Sequence, residues 1–338
     1  MEGLLPFEKI KREVFVRREI ETSDKFGELP EKRTTEKIIE YGIVNIDKPR
    51  GPTSHQVSFY VQQILGINKS GHAGTLDPNV TGVLPIALGN ATKVVQALLT
   101  AGKEYVCVMH LHQDIPEDKI RKVMLSFIGK IKQLPPIKSA VKREYRYRKI
   151  YYLDVFEIDG RDVLFRVGCQ AGTYIRKLVH DIGKELGCGA HMAELRRTKA
   201  GPFNEQKNLC TLQDLNDAFH YYKQENNDSY LRKLIMSIET AVEHLPKVWV
   251  LDTSVNTLCH GASLKVPGVA KVESDIQVGE PIAVMTLKNE LIGFGRAQMI
   301  SKDMVKKERG LAVTMDRVFM SPGIYPTIEK KEKDGIIN

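Results

Sequence analysis

GHAGTLDPNVTGVLPIALGNATKV, Gly71 to Val94, is the stretch on which the reading of this chain turns. Between Gly71 and Pro85 it holds Gly74, Pro78 and Gly82 as well, a density of breakers that predicts a shaped loop rather than a helix or strand. One carboxylate, Asp77, lies inside it, and Pro78 behind biases Asp77 toward extended backbone. Asp-Pro-Asn is common turn chemistry, so by residue type alone a plain turn is the first reading and a working carboxylate the second.

Upstream, GIVNID from Gly42 predicts a short buried strand and KPRGP a turn. Thr53 or Ser54 then caps an amphipathic helix that runs to Leu65. Downstream, ATKVVQALLTAG predicts a second helix and PEDKIRKVMLSFIG a third, with Ile120, Val123, Met124 and Phe127 on one face. VLFRVGCQA reads as a strand leading into a helix at Thr173, with Leu178, Val179, Ile182 and Leu186 as its apolar stripe and Gly187 as its stop. Residues 211–245 look helical, a natural linker or closing element. Beyond Pro246, KVWVLD, GASLKVPG, EPIAVMTLKNELIGFGRAQMI and LAVTMDRVFM are short strands at the spacing of a small β-barrel. Residues 1–40 are polar and irregular, and the spacing of Ile10, Val14 and Val16 favours an extended arm lying on another domain. The fold class is therefore α+β: a mixed domain over 41–247, an all-β module over 248–324 and a solvated tail over 325–338.

Composition narrows the function classes. In 338 residues, 42% are hydrophobic and 27% charged, values of an ordinary soluble globular chain. Five cysteines with no CxxC pair argue against both a disulfide framework and a zinc finger, and for a reducing, cytoplasmic compartment. No apolar run reaches the roughly 18 residues of a membrane span, and the N-terminus lacks a signal-peptide core. Neither GxxxxGK[ST] nor GxGxxG occurs, so no nucleotide cofactor is expected. Cys259-His260 has no second pair at ligand spacing, so no metal is expected either. The net charge of +8 raises the prior for a polyanion partner.

Two further clusters bear on that partner. Residues 138–149 carry Lys138, Lys142, Arg143, Arg146, Arg148 and Lys149 against Glu144 alone, with Tyr145 and Tyr147 interleaved. Cations track phosphates and rings stack on unpaired bases, although a charged strand edge has the same look. Gly172-Thr173-Tyr174-Ile175-Arg176 stands at a strand-to-helix junction, where amides and Arg176 form an anion site or simply a surface arginine. Were Arg176 to meet Asp77, it would hold the carboxylate ionised and fix its direction.

Taken in order, DKPRGPTSHQV, GHAGTLDP, GTYIRKLVHDIG and AELRRTKAGPF resemble four successive segments of the TruB-type pseudouridine synthases. The resemblance is strongest to archaeal dyskerin-type members, the catalytic subunits of box H/ACA ribonucleoproteins. HGASLKVPGVA and GFGRAQM resemble a PUA domain, the N-terminal arm resembles one that packs on that domain, and KSAVKREYRYRKIYYL resembles the family's substrate-gripping thumb loop. The absence of long Lys-rich extensions favours the archaeal form.

That resemblance implies RNA-guided conversion of uridine to pseudouridine in rRNA and tRNA, by cleavage of the C1′–N1 bond, rotation of the base and rejoining through C5, with no cofactor. By motif position Asp77 would be the essential carboxylate, Arg176 its partner, Tyr174 the ring stacked on the flipped base and Tyr105 a pocket residue assisting proton transfer. His72 would hold the everted nucleotide, Lys48 and Pro49 would support the loop, and Leu195 would add an apolar wall. Lys142, Arg143, Arg146 and Arg148 would grip substrate RNA; His260, Gly261, Ala262 and Lys265 would meet guide RNA. The implied partners are a box H/ACA guide RNA, target RNA and the small core proteins of the particle. Two alternatives stay open: a stand-alone synthase for the tRNA T-arm, disfavoured by the short thumb, and an RNA-binding scaffold without catalysis.

Overall fold

Long apolar runs set the sheets of this chain, whose computed structural model describes residues 3–135 and 144–327. It folds as two units. One takes residues up to Lys11 together with Thr34–His244; the other takes Arg12–Arg33 and the chain from Leu245 onward. Lys142 and Arg143 fall outside the described residues, as does the tail from 328.

A short strand, β1 (Val14–Val16), belongs to the second unit. The first unit then runs α1 (Thr35–Tyr41), β2 (Gly42–Lys48), α2 (Ser54–Leu65), β3 (Ser70–His72), β4 (Thr81–Leu88), α3 (Val95–Leu99) and β5 (Lys103–Leu111). It continues with α4 (Glu117–Ser126), β6 (Gly129–Gln133), β7 (Arg146–Asp159), β8 (Asp162–Cys169) and α5 (Ile175–Leu186). It ends with β9 (Ala190–Ala200), β10 (Phe203–Asn204), β11 (Leu209–Cys210), α6 (Leu212–Glu225), α7 (Leu231–Leu234) and β12 (Ile235–Ser237). These strands form one mixed sheet of eleven, in the order β11-β2-β4-β9-β5-β8-β7-β6, with β3 on β4, β10 on β9 and β12 on β2. Val57, Val61 and Leu65 of α2 join Leu215 of α6 against Val44, Ile46, Leu84 and Ile86. Leu178, Val179, Ile182 and Leu186 of α5 join Ile120 and Met124 of α4 against Cys107, Met109, Phe165 and Val167.

The quoted stretch is not a loop throughout. Only 73–80 is; β3 precedes it, and β4 holds both Gly82 and Pro85 inside a central, buried strand. Proline is tolerated there because β4 changes neighbour. One edge of β4 pairs with β2 throughout, Pro85 opposite Asn45; the other edge pairs with β9 at Thr81 and Gly82 and with β3 from Ile86, so no strand ladder runs along that second edge in between. Gly82 has φ +102°, and a Cβ there would sit 2.2 Å from the Arg197 carbonyl oxygen. The continuous apolar run VLPIAL was the readable sign of a strand buried on both faces.

Other expectations shift in smaller ways. The helix expected over 91–102 is a 3-10 turn (Gly89–Val94) followed by the single turn of α3. Within 211–245, α6 and α7 are helical, but Ile235–Ser237 pairs with Val44 to Gly42 of β2. An open sheet edge overrides local helix preference there.

In the second unit β13 (Lys247–Val250), α8 (Asp252–Cys259), β14 (Leu264–Lys265), β15 (Val269–Glu273), β16 (Pro281–Met285), β17 (Leu291–Ala297), α9 (Ser301–Lys306) and β18 (Leu311–Val318) follow one another. Its seven-stranded sheet has the order β1-β15-β13-β16-β17-β18-β14. The two short helices were not foreseen. The arm residues are used differently from their apolar spacing as well. Ile10, Val14 and Val16 are exposed, and it is Phe15 that packs on the core of this unit. Alternation on a strand puts Phe15 on the opposite face from Val14 and Val16.

Candidate active site

Loop 73–80 is anchored from below before its carboxylate meets anything. Lys48, at the end of β2, is fully buried and donates to the carbonyls of Pro49 (2.9 Å), Pro78 (3.0 Å) and Val80 (2.9 Å). Burial drives its ammonium below the ordinary lysine range, and the nearby Asp77 charge pulls it back up. Ser54 brackets Leu76, its hydroxyl donating to the Leu76 carbonyl at 3.2 Å and accepting from the Leu76 amide at 2.8 Å. The capping of α2 falls to Thr53, in a reciprocal box with Gln56. The Gly51 amide takes the Pro78 carbonyl at 2.9 Å, and the Val80 amide bonds the Asp77 carbonyl at 3.0 Å. Asp77 therefore does sit in a turn, and the turn presents its side chain.

Arg176, in the first turn of α5, donates to Asp77 Oδ2 at 2.5 Å. The two side chains are 54% and 58% exposed. An exposed pair of this kind adds only about 0.2–1 kcal/mol of stability. Its consequence is direction: the carboxylate is held at an open surface rather than left to rotate. Tyr174 is the N-cap residue of α5. Gln133, buried at the end of β6, clamps its backbone from both sides, accepting from the Tyr174 amide (3.0 Å) and donating to its carbonyl (3.1 Å).

Tyr105, half-buried on β5, stands opposite Arg197 of β9 in register. Burial pushes its phenol above the usual tyrosine range, and the charge of the neighbouring Arg197 guanidinium opposes that shift. His72 on β3 packs edge-on against His55 of α2, ring centres 4.7 Å apart. Burial, then the His55 and Arg197 charges, lower it to about 4, so it is neutral near pH 7. Its Nδ1 is buried without a hydrogen-bond partner. Leu195 faces Cys107 in register and lies against the α4–α5 core. Pro49 is exposed at the rim.

Arg146 and Arg148 stand on β7. Arg148 Nη1 donates to the Tyr147 carbonyl at 2.8 Å, and a Cβ on Gly172 would lie 3.1 Å from its Nε, so it reaches the loop before α5. Tyr145 and Tyr147 are exposed, but each has a lysine over its ring, Lys132 at 4.4 Å and Lys130 at 4.2 Å. In the second unit His260 ends α8, its Nδ1 2.8 Å from the Asn256 carbonyl. Gly261 (φ +84°) opens onto free space, Ala262 is half-buried and Lys265 is exposed on β14. Among the described residues no group of three His, Cys, Asp or Glu is placed to hold a metal.

Three residues escaped the sequence reading: Ser54 in its true role, Gln133 and Arg197. For Arg197 a signal existed. Neighbouring residues on a strand point to opposite faces, so of Arg196-Arg197 one had to point inward. Gln133 had none.

Known proteins supply the identity. A model described as the TruB family pseudouridylate synthase N-terminal domain matches residues 62–175, and one described as the tRNA pseudouridylate synthase B C-terminal domain matches 176–243. A PUA domain model matches 246–319 and a DKCLD (NUC011) model matches 4–58. The chain is 57% identical to a probable tRNA pseudouridine synthase B of Thermococcus kodakarensis over 96% of each protein. It is 55% identical to the Pyrococcus abyssi protein of that name, over 94% of this chain and 96% of the relative. Among solved structures it superimposes on a chain of a Cbf5-Nop10-Gar1 complex with a TM-score of 0.92 at 55% identity, covering 96% of this chain and 99% of the other. A chain of an H/ACA RNP bound to a substrate RNA containing 2′-deoxyuridine gives 0.91 at 52% identity, covering 97% and 100%. At that identity and coverage the chain belongs to the TruB family of pseudouridylate synthases.

Proposed function

We propose that this protein converts specific uridines to pseudouridine in rRNA and tRNA as the catalytic subunit of a box H/ACA ribonucleoprotein. The carrying observation is the Asp77 carboxylate, ion-paired with Arg176 at an open surface on a loop held by buried donors. A base stacked in a duplex is out of reach, so the target uridine is everted, at a cost of a few kcal/mol. Asp77 is the essential carboxylate and Arg176 orients it. Tyr174 stacks on the base, holding it while it turns without fixing its in-plane angle. Tyr105 assists proton transfer, neutral His72 supports the everted nucleotide and Leu195 walls the pocket. Lys48 and Pro49 support the loop. Arg146 and Arg148, with Lys142 and Arg143, grip the substrate strand. His260, Gly261, Ala262 and Lys265 of the PUA domain, residues 248–324, meet guide RNA.

The superimposed chains belong to a Cbf5-Nop10-Gar1 complex and to an H/ACA RNP bound to a substrate RNA, which supports small core proteins and a guide RNA as partners here. No helix among the described residues is long and apolar enough to cross a membrane; a cytoplasmic site of action accords with the five free thiols.

Asp77→Asn decides for or against catalysis. It should abolish pseudouridine formation while RNA affinity stays within about threefold; activity near wild type would sink the reading in favour of an RNA-binding scaffold. The names of the curated relatives favour a second reading, direct action on tRNA. Purified protein assayed on a tRNA transcript with and without guide RNA and core proteins separates the two.

A further inference from the structure

Gln133 is 2% exposed at the end of β6, a depth at which an amide side chain needs partners for both its oxygen and its nitrogen. It finds them on one residue. Its Oε1 accepts from the Tyr174 amide at 3.0 Å, and its Nε2 donates to the Tyr174 carbonyl at 3.1 Å. Tyr174 holds the N-cap position of α5, which ordinarily goes to Ser, Thr, Asp or Asn, and it makes no side-chain cap bond. In a capping box the N-cap amide is taken by a Glu or Gln side chain at the third helical position. In α5 that position is Lys177, which donates to Asp181 instead. The helix thus carries a ring where it would use a cap, and a different strand supplies the acceptor. β7 adds to the same frame. The Gln170 amide donates to the Lys149 carbonyl at 2.8 Å, and the Lys149 amide donates to Gln170 Oε1 at 3.2 Å.

We infer that Gln133 is a positioning residue for the isomerisation, holding the Tyr174 backbone so that its ring meets the everted base at a fixed place. This rests on the synthase reading and deepens it. A primary amide presents an acceptor and donors side by side, so it can take the N–H and serve the C=O of one residue as a paired strand would. With both groups held, Tyr174 cannot turn about its backbone, and the Cα–Cβ bond from which the ring projects keeps its direction. α5 starts at the next residue, so the restraint extends to Arg176 and the carboxylate it pairs with. Gln133 also stands opposite Arg146 in the β6–β7 register. The hairpin that presents the proposed strand-gripping arginines is thereby bonded to the stacking residue. A misplacement of about 1 Å at a reacting centre can cost about 100-fold in rate, so a loosened ring is costly even with Asp77 untouched.

The test reads the ring and the rate separately in the full chain. Fluorotyrosine labelling gives the ring a fluorine NMR resonance, assigned to Tyr174 by its loss in Tyr174→Phe. Gln133→Leu bonds neither backbone group and should shift or broaden that resonance. Single-turnover pseudouridylation, by the chain assembled with guide RNA and core proteins on a saturating short RNA whose target uridine the guide leaves unpaired, should slow by about 100-fold, with RNA affinity within about threefold. Gln133→Glu keeps the volume and the acceptor but at neutral pH has no proton for the Tyr174 carbonyl, so it should fall between, at about tenfold. An unmoved resonance, a rate close to wild type, or a loss confined to RNA affinity each overturns the inference. Should Gln133→Leu fail to unfold cooperatively, Gln133→Glu decides by the same two readings. Loss of cooperative unfolding in both assigns Gln133 to the fold alone and overturns the inference too. An inactive Asp77→Asn beside a Gln133→Leu of wild-type rate removes this inference alone, whereas an active Asp77→Asn removes the synthase reading itself.

Discussion

Lys48 and Arg176 lie on either side of Asp77 and behave oppositely as energetic elements. Lys48 is buried and satisfies three carbonyls. Arg176 is more than half exposed and satisfies one carboxylate. Orphaning a buried polar group costs about 1–3 kcal/mol, so Lys48→Met should destabilise the first unit by at least about 3 kcal/mol, seen as a lower denaturant midpoint. Arg176→Ala should leave that midpoint within about 0.5 kcal/mol of wild type and remove the activity. A stable, active Arg176→Ala would show that orientation of Asp77 does not matter. His72 offers a pH handle. The unfolded imidazole takes up its proton near 6.5 and the folded one only near 4. Between those values the unfolded chain binds more protons, so stability falls as pH drops from about 6.5 to 4, by at most about 3 kcal/mol. Chemical denaturation across that range should show a shallower slope in His72→Gln than in wild type.

At the scale of elements, β4 is the piece on which the site depends. It carries the loop, switches neighbours in mid-strand and needs glycine where it passes Arg197. At Gly82 a side chain would meet both a φ of +102° and a backbone oxygen at 2.2 Å. Gly82→Ala should therefore cost more than about 3 kcal/mol, beyond the usual range for one methyl group, and yield little folded protein. Recovery of a wild-type melting profile would mean that β4 can move off β9. The expectation of a loop across 71–85 failed here for a definable reason. Gly and Pro are read locally as breakers, whereas the missing ladder partner that accommodates Pro85 is made by β3 and β9, 10 or more residues away in sequence. In contrast α2 and α5 were legible, because Thr53 and Gly187 terminate them locally and their apolar stripes obey the helical period.

For the whole molecule, charge governs binding more than fold. A net charge of +8 and cations on β6 and β7 predict RNA affinity that falls linearly in log–log form with salt. Arg148→Ala should reduce that slope by about one unit and weaken all RNA substrates alike. A changed preference among sequences, with the slope intact, would argue that Arg148 reads a base. The division of the arm was not legible in its composition: residues up to Lys11 join one unit and Arg12–Arg33 the other. From that arm Leu5 is buried in the first unit, while Phe15 and Phe26, both partly buried, pack on the core of the second.

By itself the order of residues determined the class of this protein, the ends of α2 and α5, the single carboxylate on a shaped turn and the family it resembles, because each of these is written in neighbours a few positions apart. Only the tertiary structure decided what stands under that carboxylate. Lys48, Ser54, Gln133 and Arg197 come from separate elements and reach their partners across 22 to 123 positions of sequence. Hydrogen bonds over such separations follow from sheet register and burial, which no local pattern encodes.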